Sequence, residues 1–153
     1  MSDLIAKKSI TKLVSLGLDV PHGREEHLGF PEDLSSIHID DLGVHLSYWA
    51  SMCSYVLYQI SLVEAELIVK KQSLEEECDL RLYSKMKSSN ITATLAKSAV
   101  GSSRSVLELK RSVAQIEADL KVLKAVSLGY DLKNSAISRE ISRRQQERNL
   151  RDD

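Results

Sequence analysis

The residues best suited to chemistry in this sequence form a basic segment, positions 81–104, that contains no Asp or Glu. Its cations can attract the phosphates of a nucleic acid, and the tyrosine among them offers a face on which any base can stack. Serines and Asn90 near its start supply partners for phosphate oxygens. The alternative is that the lysines only keep a loop soluble. The segment predicts a single-strand-binding site made of Arg81, Tyr83, Lys85, Lys87, Lys97 and Arg104.

Catalytic and metal sites lack comparable support in the sequence. The four histidines, at positions 22, 27, 38 and 45, lie at spacings that match no zinc motif. No glycine-rich phosphate loop and no H-E-x-x-H or G-x-S-x-G pattern occurs. Cys53 is expected to be a small core residue rather than a nucleophile, because apolar surroundings raise the pKa of a thiol. We therefore expect no enzymatic activity, no metal and no cofactor.

Apolar residues in alternating steps of three and four predict a long helix before the basic segment. This spacing is typical of a coiled-coil seam, and the helix should run from about Asp40 to about Tyr83. Further apolar residues beside the seam indicate that the helix has more than one neighbour. We assign to an oligomer seam the residues Leu46, Trp49, Cys53, Val56, Ile60, Val63 and Leu67.

A second run with the same spacing follows, from Val106 to Ile141. Between the two runs, polar residues at 84–105 flank a short helical piece at 91–100 and predict a reversal of the chain. The sequence thus predicts an all-α fold built on a long antiparallel helical hairpin. Its two coiled-coil-like seams should meet each other and then meet other copies, making the protein a homo-oligomer.

The two ends of the chain have separate characters. Ser2–Leu16 reads as a short N-terminal amphipathic helix, and residues 17–37 as a linker with both prolines, in which Phe30 and Leu34 contact the following helices. Near the C-terminus, Glu140 and Glu147 should pair with Arg144 and Arg143, and the chain should fray beyond Arg144. The predicted organisation is an N-terminal helix and linker at 1–37, a helical hairpin domain at 38–148 and a tail at 149–153.

Composition limits the class of protein. The 153 residues include only 5% aromatics, six Gly and two Pro, too few turn residues for a β-sandwich or barrel. Residues 1–69 carry four basic and ten acidic side chains, whereas the remainder carries seventeen basic and twelve acidic ones. We find no signal peptide and no uninterrupted apolar stretch of about 18 residues, and so expect a cytoplasmic protein without a membrane partner.

Several short motifs, in order, resemble the UvsY-type recombination mediators of bacteriophages. These are Tyr48-Trp49, then Leu80-Arg81-Leu82-Tyr83-Ser84-Lys85, then residues 91–97, and finally residues 136–144; the likeness covers about Leu42 to Arg144. The resemblance implies a helical protein that forms closed rings and binds single-stranded DNA through Arg81, Tyr83, Lys85 and Lys87. The sequence departs from that family in its longer N-terminal extension and in the absence of glycines after the basic motif.

The resemblance also implies partners and a location. A member of this family helps to load a RecA-like recombinase onto single-stranded DNA covered by single-strand-binding protein, in the cytoplasm of the phage's host. The sequence is therefore interpreted as a non-enzymatic recombination mediator that acts as a homo-oligomeric ring. The alternative is a coiled-coil structural or scaffolding protein that binds no nucleic acid.

Overall fold

The computed structural model describes residues 28–88 and 92–152 of the chain. Three α-helices account for most of them: α1 (Ile39–Ser88), α2 (Ala93–Gly101) and α3 (Arg104–Asp152). A single 3₁₀ turn, Leu34–Ser36, precedes α1, and no strand occurs in these two ranges. The prediction of an all-α fold is confirmed. The predicted N-terminal helix, Ser2–Leu16, lies outside the described residues.

Helix α1 is longer at its C-terminal end than the sequence predicted. Asp40 and Asp41 occupy its first turn and Lys85 and Lys87 its last, where each sign of charge complements the helix dipole. The predicted end at Tyr83 is wrong, because residues 84–88 include Lys and Met, which favour helix, and no Gly or Pro. The first cations of the basic segment are therefore helical.

Helix α3 also continues past its predicted limit. The expected pairs form one turn apart: Arg144 contacts Glu140 at 2.7 Å, and Arg143 contacts Glu147. Such pairs stabilise the exposed last turns of the helix. The chain therefore remains helical to Asp152 instead of fraying after Arg144. Residues 149–152, which the sequence assigned to a tail, are the last turn of α3.

The two long helices pack against each other in antiparallel directions. As residue numbers rise along α1, the partner's numbers fall: Cys53 contacts Asn134, Lys71 contacts Glu117, and Glu77 contacts Ser105. Every residue of the two predicted seams is buried or half-buried. The hairpin is confirmed, and its seams contact each other within one chain. That the seam of α1 also contacts other copies stays a prediction.

The described residues divide into two compact units. One contains 61–88 and 92–121, and its buried side chains come from α2 and α3: Ala96, Val100, Val106, Val113 and Ile116. The other contains 28–60 and 122–152, and its core is Leu42, Tyr48, Trp49 and Ile137.

The second unit holds residues 28–37, here called the lead-in segment, against the long helices. Phe30 and Leu34 pack on the core, as predicted, and the Phe30 ring lies edge-on to Trp49 at 6.1 Å between centroids. The ammonium of Lys133 sits 3.9 Å from the centroid of the Trp49 ring and also faces Phe30 and Tyr130. This cation–π cluster joins the lead-in segment, α1 and α3.

Helix α1 is also apolar enough to pass a composition test for crossing a membrane. The stretch Ile39–Lys87 contains an 18-residue window with mean hydropathy 1.4 and no more than two charged residues, of which only 11% is buried. No continuous apolar run was found in the sequence because polar residues are spread through this window. One such helix is weak support for membrane insertion.

Candidate nucleic-acid interface

The six residues predicted to bind nucleic acid are all exposed and lie in one compact unit, but on three helices. Four occupy the last two turns of α1, one lies on α2, and one begins α3; in that order they are Arg81, Tyr83, Lys85, Lys87, Lys97 and Arg104. The expected loop is replaced by helix for the first four. Helical geometry therefore decides which of them share a face.

The helix places Tyr83 on a different face from Arg81 and Lys85. Each residue turns about 100°, so Arg81 and Lys85 share one face whereas Tyr83 points to the other side. The Tyr83 ring is 69% exposed and lines a shallow groove with Leu80, Glu76 and Asp79. Two carboxylates beside the ring repel phosphate. Arg81 and Lys85 therefore do not form with Tyr83 the mixed charged and stacking surface that the sequence order indicated.

Arg81 and Lys85 instead converge on a small crevice. The crevice has a volume of about 90 Å³, and its walls are Arg81, Ser84 and Lys85 from α1, with Ala99, Val100 and Ser103 opposite them. Two cations and two hydroxyl-bearing side chains thus surround a space the size of one small polar group. Nitrogen and hydroxyl donors at short range are the groups that bind a phosphate.

Ser103 gives this crevice an additional anion-binding feature. Its carbonyl accepts the first intrahelical hydrogen bond of α3, from the N–H of Leu107 at 3.0 Å, so Ser103 is the N-cap residue. Its Oγ is buried and has no hydrogen-bond partner in the described part of the chain. The first N–H groups of a helix lack intrahelical acceptors and carry the positive end of its dipole. The start of α3 therefore favours an anion at the same place.

Two of the predicted cations already contact carboxylates. Arg81 pairs with Glu77 at 2.5 Å, and Arg104 pairs with Glu108 at 2.8 Å. Glu77 also accepts a hydrogen bond from the Ser105 hydroxyl at 2.6 Å, and that bond, followed by the Arg81 contact, lowers the pKa of Glu77. Both acids lie just outside positions 81–104, one helical turn from their partners. The acid-free segment is therefore less positive in the fold than in the sequence.

Ser103 is a candidate site residue that the sequence pattern alone did not identify. The signal was present, because a serine directly before a helix is a common N-cap, and Gly101 and Ser102 mark the preceding stop. Its position beside Arg81 and Lys85 depends on how α3 packs against α1, and a local sequence pattern does not predict that packing.

The other candidate residues do not assemble into a site. Within residues 28–88 and 92–152 no three His, Cys, Asp or Glu side chains are grouped so as to hold a metal ion. His38 is exposed before α1, His45 is half-buried, and His22 and His27 lie outside the described residues. Cys53 is partly buried, and desolvation, with Asp131 nearby, raises the pKa of its thiol. That environment disfavours the nucleophilic thiolate.

Lys87, Lys97 and Arg104 do not line the crevice, although all three are exposed within the same unit. Only Arg81 and Lys85, of the predicted set, are brought together around a defined space. Comparisons of the chain with protein families, with curated proteins and with solved structures found no match, so this crevice is the feature on which a functional assignment rests.

Proposed function

We propose that this chain is a homo-oligomeric single-stranded DNA-binding protein that acts as a recombination mediator. It would help to load a RecA-like recombinase onto single strands covered by single-strand-binding protein. The observation that carries the DNA-binding part is the crevice in which Arg81, Lys85, Ser84 and the unpartnered hydroxyl of Ser103 face one another. The mediator part rests on the resemblance in motif order.

The size and chemistry of the crevice favour a phosphodiester group as its occupant. A space of about 90 Å³ accepts one phosphate but no base, and its donors recognise oxygen rather than a base edge. Binding of this type carries no sequence preference. A single contact is weak, so an oligomer that presents one crevice per subunit would hold a strand through many such contacts at once.

The rival function is a coiled-coil structural or scaffolding protein without nucleic-acid binding. One observation favours it: Arg81 and Arg104 form ion pairs with Glu77 and Glu108, which partly neutralise their charges. Under this alternative the cations stabilise the ends of α1 and α3 and have no external ligand.

Single-strand binding at two salt concentrations separates these functions. The triple substitution Arg81→Ala, Lys85→Ala and Lys87→Ala should weaken binding of an oligonucleotide by at least tenfold at low salt. It should also reduce the slope of log affinity against log salt by about 0.7 for each subunit that contacts the strand, because each phosphate contact contributes about 0.7 on a single strand. Oligomer mass should not change.

A matched control removes three exposed cations from the other end of α3: Arg139→Ala, Arg148→Ala and Arg151→Ala. This control should bind as the wild-type protein does. If the control loses binding while the first triple variant retains it, the site lies on the C-terminal arginines. If neither variant differs from a wild-type protein that does not bind, the scaffolding function is correct.

A further inference from the structure

Helix α1 carries a second set of residues in steps of three and four, distinct from the seam that contacts α3. All of them are exposed, and the spacing places them along one side of the helix. Such a spacing allows another helix to pack alongside. We call this set the acidic stripe; it consists of Val69, Gln72, Glu76, Asp79, Tyr83 and Met86.

The acidic stripe includes the shallow groove beside Tyr83. Leu80 and Tyr83 form the apolar part of this groove, and they are 68% and 69% exposed. Glu76 and Asp79 border it. Glu76 accepts a hydrogen bond from the Gln72 amide at 3.0 Å, but neither acid pairs with a cation in the described part of the chain. An apolar surface bordered by unpaired carboxylates favours a partner that is both apolar and positively charged.

Helix α3 has a stripe of the opposite charge in the same unit. Its members are also exposed and also follow steps of four and three along one side of the helix. Within residues 28–88 and 92–152, its two cations form no ion pair. We call this set the basic stripe; it consists of Leu107, Arg111, Ala114, Ala118 and Lys121.

The two stripes cannot contact each other within one chain. In this unit α1 and α3 pack through other positions: Lys71 contacts Glu117, and Glu77 contacts Ser105. Both stripes therefore lie on the outer sides of the helix pair. Each needs a partner from outside the chain if it is to be covered.

A second copy of the chain supplies a complementary surface for each stripe. With the two alanines opposite the two acids, each cation lies about one helical turn beyond the acids, at either end. The long side chains of Arg111 and Lys121 can span that distance. The small alanines also leave space for the exposed Leu80 and Tyr83.

We propose that the acidic stripe of one copy docks on the basic stripe of the next. The contact is heterologous, so each copy uses one stripe toward each of its two neighbours, and a series of such contacts closes into a ring or extends as a filament. One type of contact covers both stripes. The lysines near the N-terminus, Lys7, Lys8 and Lys12, could cover only the acidic one.

This inference rests on the homo-oligomer part of the proposed function and names the surfaces that form it. It does not involve the phosphate crevice, whose residues lie on other sides of α1 and α3. Oligomer mass and strand binding are measured separately, so each can fail without the other.

Charge reversal on either stripe tests the contact. The acid-reversed variant, Glu76→Lys with Asp79→Lys, and the base-reversed variant, Arg111→Glu with Lys121→Glu, should each weaken self-association by about tenfold, because like charges then oppose each other. Sedimentation equilibrium measures the change. If both variants keep the wild-type mass, the proposal is overturned.

Mixing the two variants tests that the stripes contact each other. In the mixture, the normal acidic stripe of one variant docks on the normal basic stripe of the other, and the two reversed stripes also attract. The mixture should therefore recover the wild-type mass, although neither variant does so alone. A mixture that associates no better than its components would overturn the proposal.

Leu80→Asp tests the apolar part of the contact, with Leu150→Asp as a matched control. Leu150 is 78% exposed and belongs to neither stripe, so its substitution should not alter the oligomer mass. Leu80→Asp should shift the mass toward a single chain while circular dichroism retains the wild-type helix content. An unchanged mass for Leu80→Asp would overturn the proposal.

Two further measurements test other occupants of the acidic stripe. Deletion of residues 1–27 should leave the number of subunits unchanged; a different number would assign the stripe to the N-terminal lysines and overturn the proposal. Wild-type protein should not float with phosphatidylcholine vesicles; flotation that Leu80→Asp abolishes would assign it to a lipid surface. A wild-type protein that is monomeric at all concentrations would overturn both this contact and the oligomer, whereas loss of strand binding alone would affect only the crevice.

Discussion

At the scale of single residues, Glu140 is the most strongly perturbed acid in the described part of the chain. Hydrogen bonds from Arg143, and then from Arg144, lower the pKa of Glu140 from its usual 4.5 to about 2. The carboxylate is only 13% exposed, so these partners replace much of its contact with water. Its charge is therefore coupled to folding.

The pH dependence of this coupling has a definite sign. Because the folded pKa lies below the unfolded one, the stabilisation is complete above pH 4.5 and is lost as pH falls toward about 2. We expect Glu140→Gln to lower the free energy of unfolding at pH 7 and to differ progressively less from the wild-type protein below pH 4.5. Urea denaturation at several pH values measures the difference. A difference that does not vary with pH would contradict this assignment.

Ser103 allows a second test at this scale, because it acts without charge. Ser103→Ala removes the buried hydroxyl but no cation, so single-strand affinity should fall by about threefold to tenfold while the salt slope stays the same. Fluorescence anisotropy at several salt concentrations would show this pattern. Ser102→Ala, an adjacent exposed serine, is the control and should bind normally. Normal binding by Ser103→Ala would remove the hydroxyl from the site.

At the scale of elements, Arg144 fixes the lead-in segment to α3. Its guanidinium donates hydrogen bonds to the carbonyl oxygens of Ile37, Leu34 and Ser35 at 2.6, 2.8 and 2.9 Å, and to Glu140 at 2.7 Å. These carbonyls belong to the first two residues of the 3₁₀ turn and to Ile37, the residue that follows it. The planar fork of an arginine can reach several of them at once, which the single ammonium of a lysine cannot.

Arg144→Lys should therefore loosen the lead-in segment without unfolding the hairpin. Amide hydrogen exchange in residues 28–37 should accelerate about tenfold, because hydrogen bonds from a charged donor are lost. Exchange in α1 and α3 should change little. Arg148→Lys, an exposed site on the same helix, serves as the control. Equal acceleration across all helices would mean that Arg144 stabilises the whole unit.

The elements were predictable from the sequence to the extent that periodicity defined them. Steps of three and four identified both seams, and the observed contacts of Trp49 with Tyr130 and of Cys53 with Asn134 join seam positions. Helix ends were less well predicted, because α1 and α3 both end in polar stretches whose residues still favour helix. The crevice and the Arg144 contacts were not predictable, since they join residues separated by about 20 and 110 positions.

At the scale of the whole molecule, the distribution of charge bears on how a mediator would meet its protein partners. The described acids of the first third, Glu32, Asp33, Asp40 and Asp41, are all exposed and lie in the unit that does not contain the crevice. DNA would repel them. The chain before Leu28 is then a candidate arm for recruiting a recombinase or a single-strand-binding protein.

A deletion tests this arm, and the structure determines where it must end. Phe30 and Leu34 pack on the core, and Arg144 binds carbonyls from Leu34 onward, so removing residues 1–36 would damage the fold. Deletion of residues 1–27 leaves these contacts intact. The shortened protein should keep its folded hairpin, its number of subunits and its strand binding, but should no longer accelerate recombinase assembly on protein-coated single strands. Turnover of ATP by the recombinase measures that acceleration.

Two outcomes would contradict this prediction. Retained acceleration would place the recruiting surface on the hairpin. A full-length protein that gives no acceleration would refute the mediator function even if strand binding persists.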